Sequence, residues 1–135
     1  MINNRECVIL CNFNDKEFKT IRLYASMIGI KDLIRVSYKN GDSIINDILN
    51  NKIKEDGAQS SIKDRAIVFN SLEPRKVNVF IDNMKKMRLA PSMKAIVTKT
   101  SIEWTLDMLL HHLKEERIWE KQGKIQSHEK EKEEK

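Results

Sequence analysis

The chain reads as an α/β protein: a four-stranded, mainly parallel sheet made of two β-α-β-α halves, strand order 2-1-3-4, with helices on both faces. Three observations predict this. Short apolar runs of strand length alternate with longer stretches of helical periodicity. The runs Cys7-Val8-Ile9-Leu10-Cys11 and Ala66-Ile67-Val68-Phe69 are apolar on both faces, as strands covered by helices on two sides must be. With a shift of 58 residues, Ile9-Leu10-Cys11-Asn12 lies over Ile67-Val68-Phe69-Asn70, and Ile21 over Val79.

The first run is a strand closed by Asn12. Asn14-Asp15-Lys16-Glu17 starts a helix: Asn14 caps it, and Glu17 three residues later completes a capping box. Phe18, Ile21, Tyr24, Ala25 and Ile28 give it one apolar face, and Gly29 stops it. Leu33-Ile34-Arg35-Val36-Ser37 is a second strand whose arginine marks it as an edge or half-exposed strand. Asn40-Gly41-Asp42-Ser43 is a turn, followed by a short helix carrying Ile44, Ile45, Ile48 and Leu49. Residues 51–64 hold Gly57, Gln59, Ser60 and Ser61 and read as a surface connection, long for a compact domain.

Ala66–Phe69 is the third strand. Pro74 suits the first turn of a third helix, with Val77, Phe80, Ile81 and Met84 as its buried stripe. Leu89-Ala90-Pro91 ends it. Lys94-Ala95-Ile96-Val97-Thr98 is the fourth strand. A last helix starts at Ser101 or, preferably, Thr105, with Leu106, Leu109, Leu110 and Leu113 on its apolar face, and ends near Trp119. These elements predict one domain over 1–119 with halves 6–50 and 65–119, joined by 51–64 and followed by a charged tail, 120–135, frayed or disordered. A ferredoxin-like arrangement would need a β-α-β-β-α-β order, which the sequence does not show.

The 135 residues suffice to bury a core. The net charge is +5, and the tail's five lysines and five glutamates cancel, so the excess belongs to residues 1–119. A modest basic balance permits a nucleic-acid or acidic partner without requiring one. No apolar run approaches the span of a bilayer, and the N-terminal residues lack the apolar segment of a secretory signal. Two cysteines do not make a disulfide framework. The expectation is a cytoplasmic protein with reduced thiols.

Pro91 to Leu110 carries a resemblance. The lysine-alanine strand, the Thr-x-Thr of Thr98 and Thr100, and the Trp104-Thr105 pair leading into a leucine-rich helix are similar to a small bacterial family catalogued as domain of unknown function 3783. Ala95 and Lys114-Glu115-Glu116 match as well, and Ser101 stands where family members often carry asparagine. The resemblance spans roughly residues 65–120. It implies a bacterial intracellular protein and no particular activity.

Candidate chemistry is sparse. Cys7 and Cys11 sit on one face of a strand, about 13 Å apart, too far for a disulfide; they read as buried thiols. His111 and His112 are neighbours on a helix and diverge by about 100°; His111/Glu115 and His112/Glu116 offer two ligands each, fewer than a zinc site needs. No phosphate loop, dinucleotide fingerprint or Ser-His-Asp set stands out. No metal and no cofactor is therefore expected. Lys85-Lys86-Met87-Arg88 with Lys94 is the densest basic stretch outside the tail; it serves the helix dipole, or phosphates of a nucleic acid.

One site has a geometric basis. In an open parallel sheet ligands bind beyond the carboxyl ends of strands where the winding reverses. In order 2-1-3-4 that point falls between strands 1 and 3, which end in Asn12 and Asn70, with Thr98, Thr100 and Trp104 beside them. The same residues serve equally as caps and turn formers. The reading is a non-enzymatic interaction or regulatory module that binds a protein partner or a second copy. The alternatives are a nucleic-acid binder using Lys85, Lys86, Arg88 and Lys94, and a small-ligand domain or enzyme at the strand ends.

Overall fold

A computed structural model describes residues 3–87 and 92–122, the last four as backbone only. The elements are β1 (Cys7–Cys11), α1 (Asp15–Met27), β2 (Leu33–Val36), α2 (Ile45–Leu49), β3 (Ala66–Asn70), α3 (Pro74–Lys86), β4 (Met93–Ile96) and α4 (Leu106–Gln122). Single 3-10 turns, Tyr38–Asn40 and Ser101–Glu103, precede α2 and α4. The Asn14/Glu17 capping box forms at the start of α1, and Pro74 sits in the first turn of α3.

The sheet order is β2-β1-β3-β4, as the apolarity of the strands predicts. Every residue of β1 and β3 is buried, and the edge strand β2 exposes Arg35. Helices cover both faces. Val8, Leu10, Ile67 and Phe69 pack with Ile21 and Ala25 of α1 and Val77, Phe80 and Met84 of α3. Cys7, Ile9, Ala66 and Val68 pack with Ile45, Ile48 and Leu49 of α2 and Leu106, Leu109, Leu110 and Leu113 of α4.

The expectation of a mainly parallel sheet is overturned. β1 and β2 are parallel, as are β3 and β4, but β1 and β3 run antiparallel, Cys7 opposite Asn70 and Ile9 opposite Val68. The cause is the path of residues 51–64. Arg5, just before β1, donates to the Leu49 carbonyl and to Asn51 Oδ1 (2.8 and 2.9 Å), which places the end of α2 at the start of β1. Asn12, just after β1, donates to the Asp64 carbonyl, which places the end of the connection at the finish of β1. The connection therefore travels the length of a strand, about 16 Å, and the second half enters the sheet from the other end. It is also less peripheral than its composition suggests, since Ser60 and Ile62 are buried and Ile53 packs on the core.

The two halves are thereby related by an approximate two-fold axis through the β1/β3 seam. Ile44 and Thr105 form an isolated antiparallel bridge. Around it the hydrogen bonds are reciprocal: Ile45 N–H donates to Trp104 O and Leu106 N–H to Ser43 O, both at 2.8 Å.

Two ion pairs fasten the frame. Arg5 holds Asp32 through both carboxylate oxygens (2.7 and 2.8 Å), and this hydrogen bonding, with the Arg5 charge, keeps the Asp32 carboxyl below its ordinary range. Burial works against the Glu17 carboxylate, but hydrogen bonds from Arg65 and the Asn14 N–H, together with the Arg65 charge, outweigh it and lower its pKa. Both groups bind protons more weakly folded than unfolded. Their contribution is present above the ordinary carboxylate range and is lost as pH falls through the folded values. Chemical denaturation at pH 7 and at about pH 3 should show stability falling into acid, and falling less steeply in the double variant Asp32→Asn/Glu17→Gln.

Candidate functional site

The antiparallel seam separates the two asparagines. Asn12 and Asn70 stand at opposite ends of the sheet, so the shared rim expected at the carboxyl ends of strands 1 and 3 does not form. Each amide is engaged instead, in matching ways. Asn12 Nδ2 donates to the carbonyls of Ile62 (3.4 Å) and Asp64 (2.9 Å). Asn70 Nδ2 donates to the carbonyls of Asn3 (3.0 Å) and Arg5 (2.8 Å). Ile62 and Asp64 precede β3 by the same intervals at which Asn3 and Arg5 precede β1. Each asparagine thus clamps the segment feeding the other half's inner strand. The sequence correspondence of Asn12 with Asn70 reflects this paired structural duty.

Thr98 and Ser101 form a reciprocal cap. Thr98 N–H donates to Ser101 Oγ (2.9 Å) and Ser101 N–H to Thr98 Oγ1 (3.0 Å). Ser101 is buried while Thr100 is exposed. Asn70 and Thr98 do meet, lining a cleft of about 150 Å³ with Asn3, Ser71, Val97, Lys99 and Ile102. Trp104 lies away from that cleft, its indole 5.0 Å from the His112 ring.

A larger feature flanks β4. This strand is an edge of the sheet. Met93 and Val97 N–H groups donate to the carbonyls of Arg65 and Phe69; in a parallel ladder the alternate residues Lys94 and Ile96 then turn their N–H and C=O outward. Beside this edge α4 runs past the sheet, leaving a groove of about 250 Å³ lined by Ala95, Ile96, Trp104, Leu109, His112 and Leu113, with Lys94, Thr98, Ser101 and Glu116. It continues into a second cleft of about 260 Å³ that shares Lys94, Leu113 and Glu116 and adds Ser92, Met93 and Arg117. Ile96 is 62% exposed, unusual for a β-branched residue on a strand. Sequence reasoning placed Trp104 at the rim expected around Asn12 and Asn70, where the structure does not put it, and read His112 as a solvated helix residue. The available signal was the apolar Ile96 sharing a strand face with the charged Lys94, in a strand at the end of the predicted order.

Of the predicted basic residues that are described, Lys94 lines this groove and Lys85 and Lys86 do not. Lys85 and Lys86 are exposed in the last turn of α3, where they complement its dipole. Lys94 Nζ donates to the Ser92 carbonyl, and Arg88 lies outside the described residues. His111 approaches Asp107 at 3.2 Å and His112 approaches Glu116 at 3.3 Å. Among the described residues no three His, Cys, Asp or Glu side chains come together as a metal site, and no helix is long and apolar enough to cross a membrane.

Both cysteines are buried with free thiols. Burial pushes Cys7 up to about 11, less than it would without the nearby Arg5 charge, and pushes Cys11 up to about 12. Thiolate is the reactive form. An aromatic disulfide reagent should therefore leave both thiols untouched in native protein at pH 8 and titrate both in denaturant; fast native labelling would contradict the packing of β1.

No curated protein and no solved structure matches the chain. Residues 65–119 match the family model described as Domain of unknown function (DUF3783). The match covers β3, α3, β4 and most of α4, one complete half of the two-fold arrangement and the half that carries the groove. The second half of this chain, residues 65–119, is therefore similar to the family described as Domain of unknown function (DUF3783).

Proposed function

We propose that this protein is a non-enzymatic interaction module of the cytoplasm whose working surface is the β4–α4 flank of its second half. The observation that carries the reading is β4, whose outer edge has no partner strand among the described residues, with an exposed Ile96 bordering a groove that contains Trp104. Exposed apolar surface rimmed by polar groups marks interaction sites. The polar groups that suggested a small-ligand pocket support a structural role, since the Asn12 and Asn70 amides and the Thr98 and Ser101 hydroxyls are occupied within the fold.

Photo-crosslinking tests the reading. A benzophenone amino acid placed at position 96 of the full chain, in extract of the source cell, should give discrete protein adducts that unlabelled chain competes away. The same group at Leu23, equally exposed on α1, should not. Equal labelling from both positions, or no adduct from position 96, would remove the β4–α4 flank from consideration.

A further inference from the structure

We infer that the β4–α4 groove receives an extended peptide by strand addition, with an aliphatic side chain inserted beside Ala95, Trp104 and Leu109 and an acidic one against Lys94 and Arg117. This rests on the interaction reading above and specifies its binding mode and partner chemistry. The molecule holds its own precedent for filling this place with a piece of chain, held there by side-chain bonds rather than by pairing with β2. Ser43 occupies in the first half the place of Trp104 in the second, since the two exchange reciprocal backbone bonds with the opposing helix starts. Against Ser43 lies an extended piece of the 51–64 connection. Lys54 N–H donates to Ser43 Oγ (2.8 Å), Asn40 Nδ2 donates to the Lys54 carbonyl (3.0 Å), and Ile53 packs onto the core. In the first half the chain turns back after the short α2 and supplies that segment itself. In the second half α4 continues to Gln122, and among the described residues no segment fills the corresponding space beside Trp104, which is the groove.

Two further features fit a peptide. The edge of β4 offers N–H and C=O groups at Lys94 and Ile96 in the spacing of a sheet ladder, the recognition mode in which main-chain bonds give affinity and alternate side-chain pockets give specificity. The charges favour an acidic residue. Lys94 and Arg117 line the second cleft against a single carboxylate, Glu116, among its described lining residues, and Arg117 approaches Asp64 at 3.6 Å.

The test uses the full chain and a phage-displayed library of linear random peptides, followed by anisotropy titration of an enriched peptide. Enriched peptides should share an aliphatic residue close to Asp or Glu. Ile96→Pro deletes one outward donor without touching the β3 pairing and should weaken binding at least about tenfold, the range of one lost hydrogen bond to a buried partner. Lys94→Glu should weaken it severalfold, with reduced salt dependence. Methylating the peptide's own backbone nitrogens, which leaves the protein unaltered, should abolish binding at alternate positions only. Binding indifferent to Ile96→Pro and to backbone methylation overturns the inference. So does failure to enrich any peptide when position 96 still crosslinks to proteins, a result that keeps the interaction reading and removes strand addition. A self-associated form dispersed by Ile96→Pro also overturns it, by naming a second copy as the occupant.

Discussion

Asn12→Ala is expected to destabilise the fold by about 3–4 kcal/mol. Asn12 has φ 67°, a left-handed backbone that costs alanine roughly 1 kcal/mol more than asparagine or glycine. Its side chain also satisfies three backbone groups, accepting from Tyr38 N–H (2.7 Å) and donating to the carbonyls of Ile62 and Asp64. Leaving such groups unpaired in a partly buried place costs about 1 kcal/mol or somewhat more each. Asn12→Gly separates the two causes, recovering about 1 kcal/mol of backbone strain and none of the hydrogen bonding. Asn12→Asp keeps the acceptor for Tyr38 but sets a carboxylate against two carbonyls, and should be no better than alanine. Urea denaturation reads all three. A loss below about 1 kcal/mol for Asn12→Ala would mean that the clamp contributes little and that 51–64 is held by other contacts.

Leu110→Ala should cost a similar amount, about 3–4 kcal/mol, by a different route. Leu110 is 0% exposed and sits in the cluster joining α2, α4 and the sheet. Truncating a buried leucine removes its transfer energy and leaves a cavity that the neighbours fill incompletely, about 2–5 kcal/mol in all. The upper half of that range is expected because Ile45, Ile48 and Leu106 around it are also fully buried and constrained by the Ile44/Thr105 bridge. Met108, on the outer side of the same helix and 51% exposed, is the control, and Met108→Ala should change stability by less than about 0.5 kcal/mol. Equal effects at 108 and 110 would mean that α4 is rotated from the orientation described.

The strands, the helices and their order were legible because they are encoded locally. Apolar runs flanked by caps locate β1, β3 and α1, and the arginine in β2 marks an edge. Strand direction at the seam was not legible. Residues 51–64 show no periodicity, and nothing in their composition says at which end of β1 they finish; the deciding contacts, Arg5 to Leu49 and Asn12 to Asp64, are made between residues far apart in sequence. The length of the connection was the one available clue, since a parallel return would have needed only a short loop. The site suffered accordingly. Asn12, Asn70 and Thr98 were recognised as strand-end polar residues, but their partners became visible only once the second half was turned around. The β4–α4 groove went unseen because its lining is drawn from a strand and a helix whose residues look ordinary one at a time.

The antiparallel seam also changes what the 51–64 segment is for. The halves meet across β1 and β3, ten residues that are all buried, and across the Ile44/Thr105 bridge. The covalent link then has a second duty besides its packing: it makes the meeting of one half with the other an intramolecular event. A single proteolytic nick among the exposed residues Glu55 and Asp56 would convert a unimolecular assembly into a two-fragment complex, whose survival on dilution measures directly how strongly the two halves hold each other.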